Sequence, residues 1–412
     1  MQVISSASAA PKTAAIAATR GTVGEVFLAF LRLGLISFGG PIAHLGYFRN
    51  ELVLRRKWID EAGYGDVVAL CQFLPGPASS QVGYVLGLLR GGAWGGIAAW
   101  VAFTAPSAVL MLLFAVGAAV FGGSIGTGIT HGLKIVAVAV IAQAVWGMAR
   151  TLAPDRARAS IALLSVLIAA FAPSAAGQIV AIAIGGLFGL WLCRDLAVAP
   201  SGDLSFPIAR RTGLLCVALY FGLLFGLPLA VSVTGSHVLA VFEAFYRSGA
   251  LVFGGGHVVL PLLQAAVVAP GWVNPDAFLA GYGAAQAVPG PLFTLAAYLG
   301  AVMPAPPNGI LGGLLSLVAL ACPGLVLVTG ALPFWNAFRT KPHMQSAMRG
   351  ANAAVVGVLA TALYNPVWVS AIFNQRDFAA AAIGFALLTV WSTPPWFVVV
   401  LLTLAGIGLQ IT

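Results

Sequence analysis

One pattern occurs twice in this chain. Phe30–Gly40, FLRLGLISFGG, and Phe245–Gly255, FYRSGALVFGG, lie 215 positions apart and share six of eleven residues. The identities are Phe30, Arg32, Gly34, Phe38, Gly39 and Gly40 with Phe245, Arg247, Gly249, Phe253, Gly254 and Gly255. Further on, at an offset of 214, Trp58 matches Trp272 and the QFLPGP of Gln72–Pro77 matches the QAVPGP of Gln286–Pro291. Chance in an apolar chain produces scattered Leu and Ala matches. It does not readily produce Arg, Gln, Trp and Pro-Gly-Pro in one order, so the chain is an internal duplication.

What is duplicated is a membrane unit. Only 8% of the 412 residues are charged and 60% are hydrophobic, whereas a soluble domain carries roughly 25% charged residues. That excludes a water-exposed globule, and the hydrophobicity excludes a disordered chain. The 50 glycines fit close helix packing in a bilayer. The net charge of +9 sits in short runs between apolar segments, which reads as membrane topology and not as a nucleic-acid surface. Cys71, Cys193, Cys216 and Cys322 lie far apart in apolar stretches, with no CxxC pair. The five histidines show no metal-ligand spacing, so neither metal nor cofactor is expected.

A span needs about 20 apolar residues. Such segments run at about 22–40, 93–121, 128–149, 159–174, 177–193, 211–233, 237–255, 308–336, 346–371, 378–391 and 395–411. The pieces 60–90 and 276–305 are each interrupted by Pro-Gly-Pro and read as broken hairpins. Arg49–Glu61 carries four basic residues, whereas its counterpart Ala265–Ala277 carries none. Basic loops stay in the cytoplasm, so equivalent loops fall on opposite faces. The expected fold is therefore all-α: a polytopic membrane protein of two inverted-topology repeats with broken or re-entrant helices and about 13 crossings. Residues 1–21, which lack a signal-peptide core, form a cytoplasmic tail. Residues 22–193 are the first repeat, 194–235 a linker and connecting span, and 236–412 the second repeat.

Inverted repeats with matched Gly/Pro-broken helices place a transporter's site near mid-bilayer. The first matched pair is Phe38–Pro41 and Phe253–Gly256, where Gly39, Gly40, Gly254 and Gly255 let the backbone leave helical geometry. The second comprises Pro75, Gly76 and Pro77, and Pro289, Gly290 and Pro291. Two prolines so close cannot share one continuous helix. The helix restarting after them presents free N–H groups and a positive dipole end to an anion. Ser79, Ser80 and the aligned Thr294 add hydroxyls, and Gln72 and Gln286 add amides that either donate to an oxyanion or satisfy freed carbonyls. Arg32 and Arg247 lie inside apolar spans, where a charge costs at least ~2.5–3.5 kcal/mol, so a functional role is the default. Glu25 and Glu243 are their expected counter-ions. With His44 and His257, which follow the Gly breaks without aligning, they are the candidates for proton coupling.

Residues 38–91, from FGGPIAHLGYFRNELVLRRKWIDE to QFLPGPASSQVGYVLGLLRG, closely resemble the signature half of the chromate transporter (CHR) family, and FGGGHVVLPLL with QAVPGP resembles its second-half signature. The resemblance implies a two-domain chromate transporter of the bacterial inner membrane. It implies export coupled to the proton-motive force, with sulfate as a structural mimic of the cargo. It carries the FGG and PGP elements over as functional; Gly256 departs from the pattern, since the first copy has Pro41. The expected partners are chromate and the lipid bilayer, not nucleic acid; a homodimer is left open. The competing readings are a carrier of sulfate or a related oxyanion, a passive channel, and a membrane enzyme or lipid-handling protein. No HExxH, no P-loop and no acidic pair within a span favours an enzyme. Cysteine-accessibility labelling should place Arg55 in the cytoplasm and Pro270 outside; labelling of both from one side would defeat the inverted arrangement.

Overall fold

The computed structural model describes residues 21–120, 123–172, 174–194, 208–253, 256–338 and 341–411. Among the described residues 85% are helical and none lies in a strand. Five described helices are long and apolar enough to cross a membrane: 78–117, 126–152, 210–234, 309–334 and 342–371. Shorter apolar helices accompany them.

The same succession of elements runs twice. In the first half, α1 (Val23–Ile36) is followed by α2 (Gly40–Phe48), which runs into a π-turn at Arg49–Arg55. Next come α3 (Glu61–Phe73) and α4 (Ala78–Val120), which leaves helical geometry at Gly91 and Gly92. Then come α5 (Gly123–Leu152), α6 (Arg156–Phe171) and α7 (Ala175–Leu192). Helix α8 (Arg210–Thr234) stands between the halves. The second half opens with α9 (His237–Ala250), a 3₁₀ turn and α10 (Val259–Leu263), which also runs into a π-turn, at Gln264–Val268. It continues with α11 (Pro275–Ala285), α12 (Leu295–Val302), α13 (Gly309–Ala331), the short α14 (Trp335–Phe338) and α15 (Pro342–Ala362). It closes with the short α16 (Val369–Ala371), α17 (Gln375–Thr389) and α18 (Pro395–Ile411).

Helix starts follow from local chemistry. Thr22, Asp60, Asp155, Ser174, Ser236, Asn274 and Asn374 each accept from a first-turn N–H. Equivalent helices even use related caps: Asp60 for α3 and Asn274 for α11, Asp155 for α6 and Asn374 for α17.

The two halves are interlocked. Helix α5 of the first half packs along α17 and α18 of the second, while α15 of the second packs along α6 and α7 of the first. These six helices form one bundle. The other gathers α1–α4, α8, α9, α12 and α13. Each bundle therefore draws on both halves, with α11 against α5 and α10 against α15 as bridges. Residues Ile135–Ile141 of α5 are buried in a core otherwise built largely from the second half.

Glycines set the contact distances, again in matching pairs. A Cβ on Gly34 would lie 2.7 Å from the Phe103 carbonyl oxygen, and one on the matching Gly249 would collide with that of Leu320. Gly132 meets Gly406 across α5 and α18, as Gly350 meets Gly189 across α15 and α7. Backbones that approach so closely gain dispersion contact, which drives helix association where no hydrophobic effect operates. Gly249→Val should lower the melting temperature in detergent, reflecting about 1–3 kcal/mol of overpacking. Gly24→Ala, where a methyl meets nothing within 4 Å, should leave it unchanged.

Candidate functional site

The four helix breaks meet. Helix α1 ends at Ser37, and the chain turns through Gly39 (φ 101°) and Gly40 (φ 79°) before α2 begins. Helix α3 ends at Leu74, and Pro75-Gly76-Pro77 leads into α4 with Gly76 at φ 128°. In the second half, Gly290 adopts φ 104° within its own Pro-Gly-Pro. Gly254 and Gly255 lie outside the described residues.

The breaks hold one another by exchanging backbone hydrogen bonds. Gly76 N–H donates to the Val252 carbonyl at 2.7 Å, and Gly290 N–H donates to the Ser37 carbonyl at 2.8 Å. Val252 and Ser37 are repeat-equivalent, as are Gly76 and Gly290. Each Pro-Gly-Pro turn thus closes on the Gly break of the other half. A third element backs each contact: α13 through Gly324, whose Cα lies 3.0 Å from a Cβ built on Gly76, and α4 through Ser107, whose Oγ lies 2.8 Å from one built on Gly290. Gln81 Nε2 donates to the Pro75 and Gly324 carbonyls, both at 3.0 Å. The first of these bonds satisfies a carbonyl released by the break, which the membrane interior cannot solvate, and the second ties the turn to α13.

The other candidate residues divide. Ser79 and Ser80 are buried in the first turn of α4, and His44 Nδ1 lies 3.3 Å from Ser79 Oγ. Thr294 is buried, but its hydroxyl already donates to the Pro291 carbonyl at 2.9 Å. Pro77, Pro289 and Pro291 are buried and Pro75 is half-buried. Gln72 is exposed, whereas Gln286 is half-buried with an unpartnered Nε2. His257 Nδ1 lies 2.6 Å from the Tyr282 hydroxyl, 25 positions along the chain from it.

Two expectations about the charges are corrected. Arg32 is not buried: it projects from the exposed face of α1 with Leu28, Leu35 and Ile36, and no partner for it occurs among the described residues. An apolar run locates a residue in a span but not on a face of it. Nor is Glu25 its counter-ion. Glu25 pairs with Arg90 at 3.0 Å and accepts from Trp58 Nε1 at 3.1 Å, at the start of α1. The second-half pair does form: Arg247 Nε lies 3.0 Å from the buried Glu243 Oε1, off the direction of a hydrogen bond.

The sequence reading missed several polar groups. Ser37, Gln81, Thr104 and Ser107 are buried around the breaks. The signal for the last two was faint, a matched proline pair at Pro106 and Pro323 in the middle of α4 and α13. His131 Nε2 pairs with buried Asp377 at 2.8 Å, and Lys134 with Asp276 at 3.0 Å. Sequence separations of 246 and 142 residues hid both pairs.

Comparison with known proteins now decides the family. The family model described as Chromate transporter matches residues 24–190 and again 239–408. This chain belongs to the chromate transporter family. It is 27% identical to a chromate transport protein of Pseudomonas aeruginosa, over 93% of this chain and 91% of that protein. It is 26% identical to a probable chromate transport protein of Synechococcus elongatus, over 92% and 93%. A chromate transport protein of Cupriavidus metallidurans is 25% identical over 83% and 82%. No solved structure matches.

Gly76 carries a tightly constrained turn of this transporter-family chain. Gly76→Ala places a methyl 2.7 Å from Gln81 Nε2 at a φ that L-residues rarely adopt. Transport by the purified variant in proteoliposomes should fall at least tenfold, with a lowered melting temperature; wild-type rates would mean that the turn has no part in function.

Proposed function

We propose that this protein exports chromate from the cytoplasm across the bacterial inner membrane as a secondary transporter coupled to the proton-motive force. The anion sits near mid-membrane where the broken helices converge. The observation that carries this reading is the reciprocal closure of Gly76 on Val252 and of Gly290 on Ser37. Such an exchange is what two repeats related by a pseudo-two-fold axis produce. With the opposite charge of equivalent loops, it supports an inverted topology with a cytoplasmic N-terminus. The membrane family and the names of the relatives support chromate as cargo.

Chromate is a tetrahedral dianion. Leaving water, it needs replacement donors around its four oxygens together with positive potential. Helix starts and hydroxyls supply the donors without a buried counter-charge. Arg247, half-buried on α9 before its break, supplies potential. Glu243 and His257, each held by one partner, are the groups proposed to exchange protons during the cycle. The moving bodies are the two bundles of the fold, each drawn from both repeats. Alternating access then comes from one bundle rocking against the other around the breaks.

Everted membrane vesicles test the proposal. Radiolabelled chromate should accumulate in them when a proton gradient is imposed, and excess sulfate should compete. Accumulation without a gradient would mean a channel; sulfate movement without chromate would change the cargo; movement of neither would defeat the transporter reading.

A further inference from the structure

The breaks of the two halves are built alike in backbone and differ in polarity at five buried positions. Around the first lie Ser37 at the end of α1, His44 on α2, Ser79 at the start of α4, and Thr104 and Ser107 at the proline of α4. All five are buried, none more than 4% exposed. Carrying each through the repeat gives Val252, Val259, Phe293, Ala321 and Gly324. The last two follow from the matched prolines of AFTAPSA (102–108) and ALACPGL (319–325). The glycine contacts support that register, since Gly34 meets Phe103 where Gly249 meets Leu320. The positions aligned with these five are therefore all apolar or glycine, whereas Ser80 keeps a hydroxyl as Thr294, already spent on the Pro291 carbonyl, and Gln72 keeps its amide as Gln286.

The polar groups of the first break are only partly spent on one another. Ser107 Oγ donates to the Thr104 carbonyl at 3.0 Å, and His44 Nδ1 is engaged by Ser79. Ser37 Oγ, His44 Nε2 and Thr104 Oγ1 are each buried with no partner. Leaving such a group unsatisfied costs about 1–3 kcal/mol. Three from three elements around one break, each able to donate, ask for an acceptor. No carboxylate is among them, which suits an anion. The turn at Gly290 closes the group from the other half through its bond to Ser37 and its approach to Ser107.

We propose that the transported oxyanion is bound at the first break alone, by the Ser37 and Thr104 hydroxyls, the His44 imidazole and the first turn of α4 bearing Ser79. The second break, where the Thr294 hydroxyl and the His257 imidazole already have partners within their own half, is then the closing surface over that site and not a second binding site. This rests on the oxyanion-transport reading above. It assigns the protein one site with neutral donors, selecting a tetrahedral oxyanion by hydrogen-bond geometry, so chromate and sulfate share it.

The test uses the full chain in proteoliposomes, with radiolabelled chromate and radiolabelled sulfate measured separately. Thr104→Val, which keeps the volume, and Ser37→Ala should each raise KM about tenfold or more for whichever anion is carried. Thr104→Ser should stay within about threefold of wild type. Wild-type KM in both hydroxyl-deleting variants, with wild-type protein transporting, would overturn the single-site proposal and leave the transport reading standing. A wild-type protein that moves neither anion would overturn both. Melting temperature in detergent, with and without added sulfate, separates folding from binding: Thr104→Val and Ser37→Ala should each lose the sulfate-induced rise that wild type and Thr104→Ser show. A hydroxyl-deleting variant that keeps the full rise counts against the site.

Discussion

The architecture depends on one requirement, that backbone groups freed by breaking a helix inside a membrane must find partners within the protein. Unsatisfied groups in hydrocarbon cost several kcal/mol each. Here each break supplies what another lacks. The Pro-Gly-Pro glycine of one half donates to the carbonyl left free at the Gly break of the other. Gln81 takes two further carbonyls. The breaks are therefore stable only together, and their meeting point is fixed by hydrogen bonding as much as by packing. This places irregular backbone, with its exposed helix starts, at the contact between the repeats.

Duplication explains the architecture and departures from it explain the chemistry. The caps, the π-turns after α2 and α10, the glycine contacts and the central prolines all recur. Several of the polar side chains do not. Ser37, His44, Ser79, Thr104 and Ser107 of the first half stand where the second half has Val252, Val259, Phe293, Ala321 and Gly324. A scaffold of two equal halves can carry a single site once one copy keeps donors and the other keeps only shape. Helix α8 is a second departure. It covers α9, with Tyr220 and Leu223 packed around Tyr246, while α1 presents Arg32 as an exposed residue among the described residues.

Much of this was legible in the amino-acid order. The repeat, the membrane character, the breaks at Pro-Gly-Pro and at the Gly pairs, and the family signature all rest on local patterns or on charge counts. The Glu243–Arg247 pair was legible too, because four positions on a helix are one turn. The partner of Glu25 was not, since Arg90 lies 65 residues away. Nor was the exposure of Arg32, because a helix apolar almost all round gives no stripe from which to read its buried face.

Sequence by itself determined the class of protein, the twofold repetition and the places where helices stop. These follow from hydropathy, proline and glycine, whose effects reach only a turn or two along the chain. Tertiary structure decided which broken end meets which, that α5 and α15 are exchanged between halves, and that Ser37 Oγ, His44 Nε2 and Thr104 Oγ1 are buried without a hydrogen-bond partner. Those outcomes depend on contacts between residues far apart in sequence, where close packing and hydrogen-bond satisfaction act on the assembled chain.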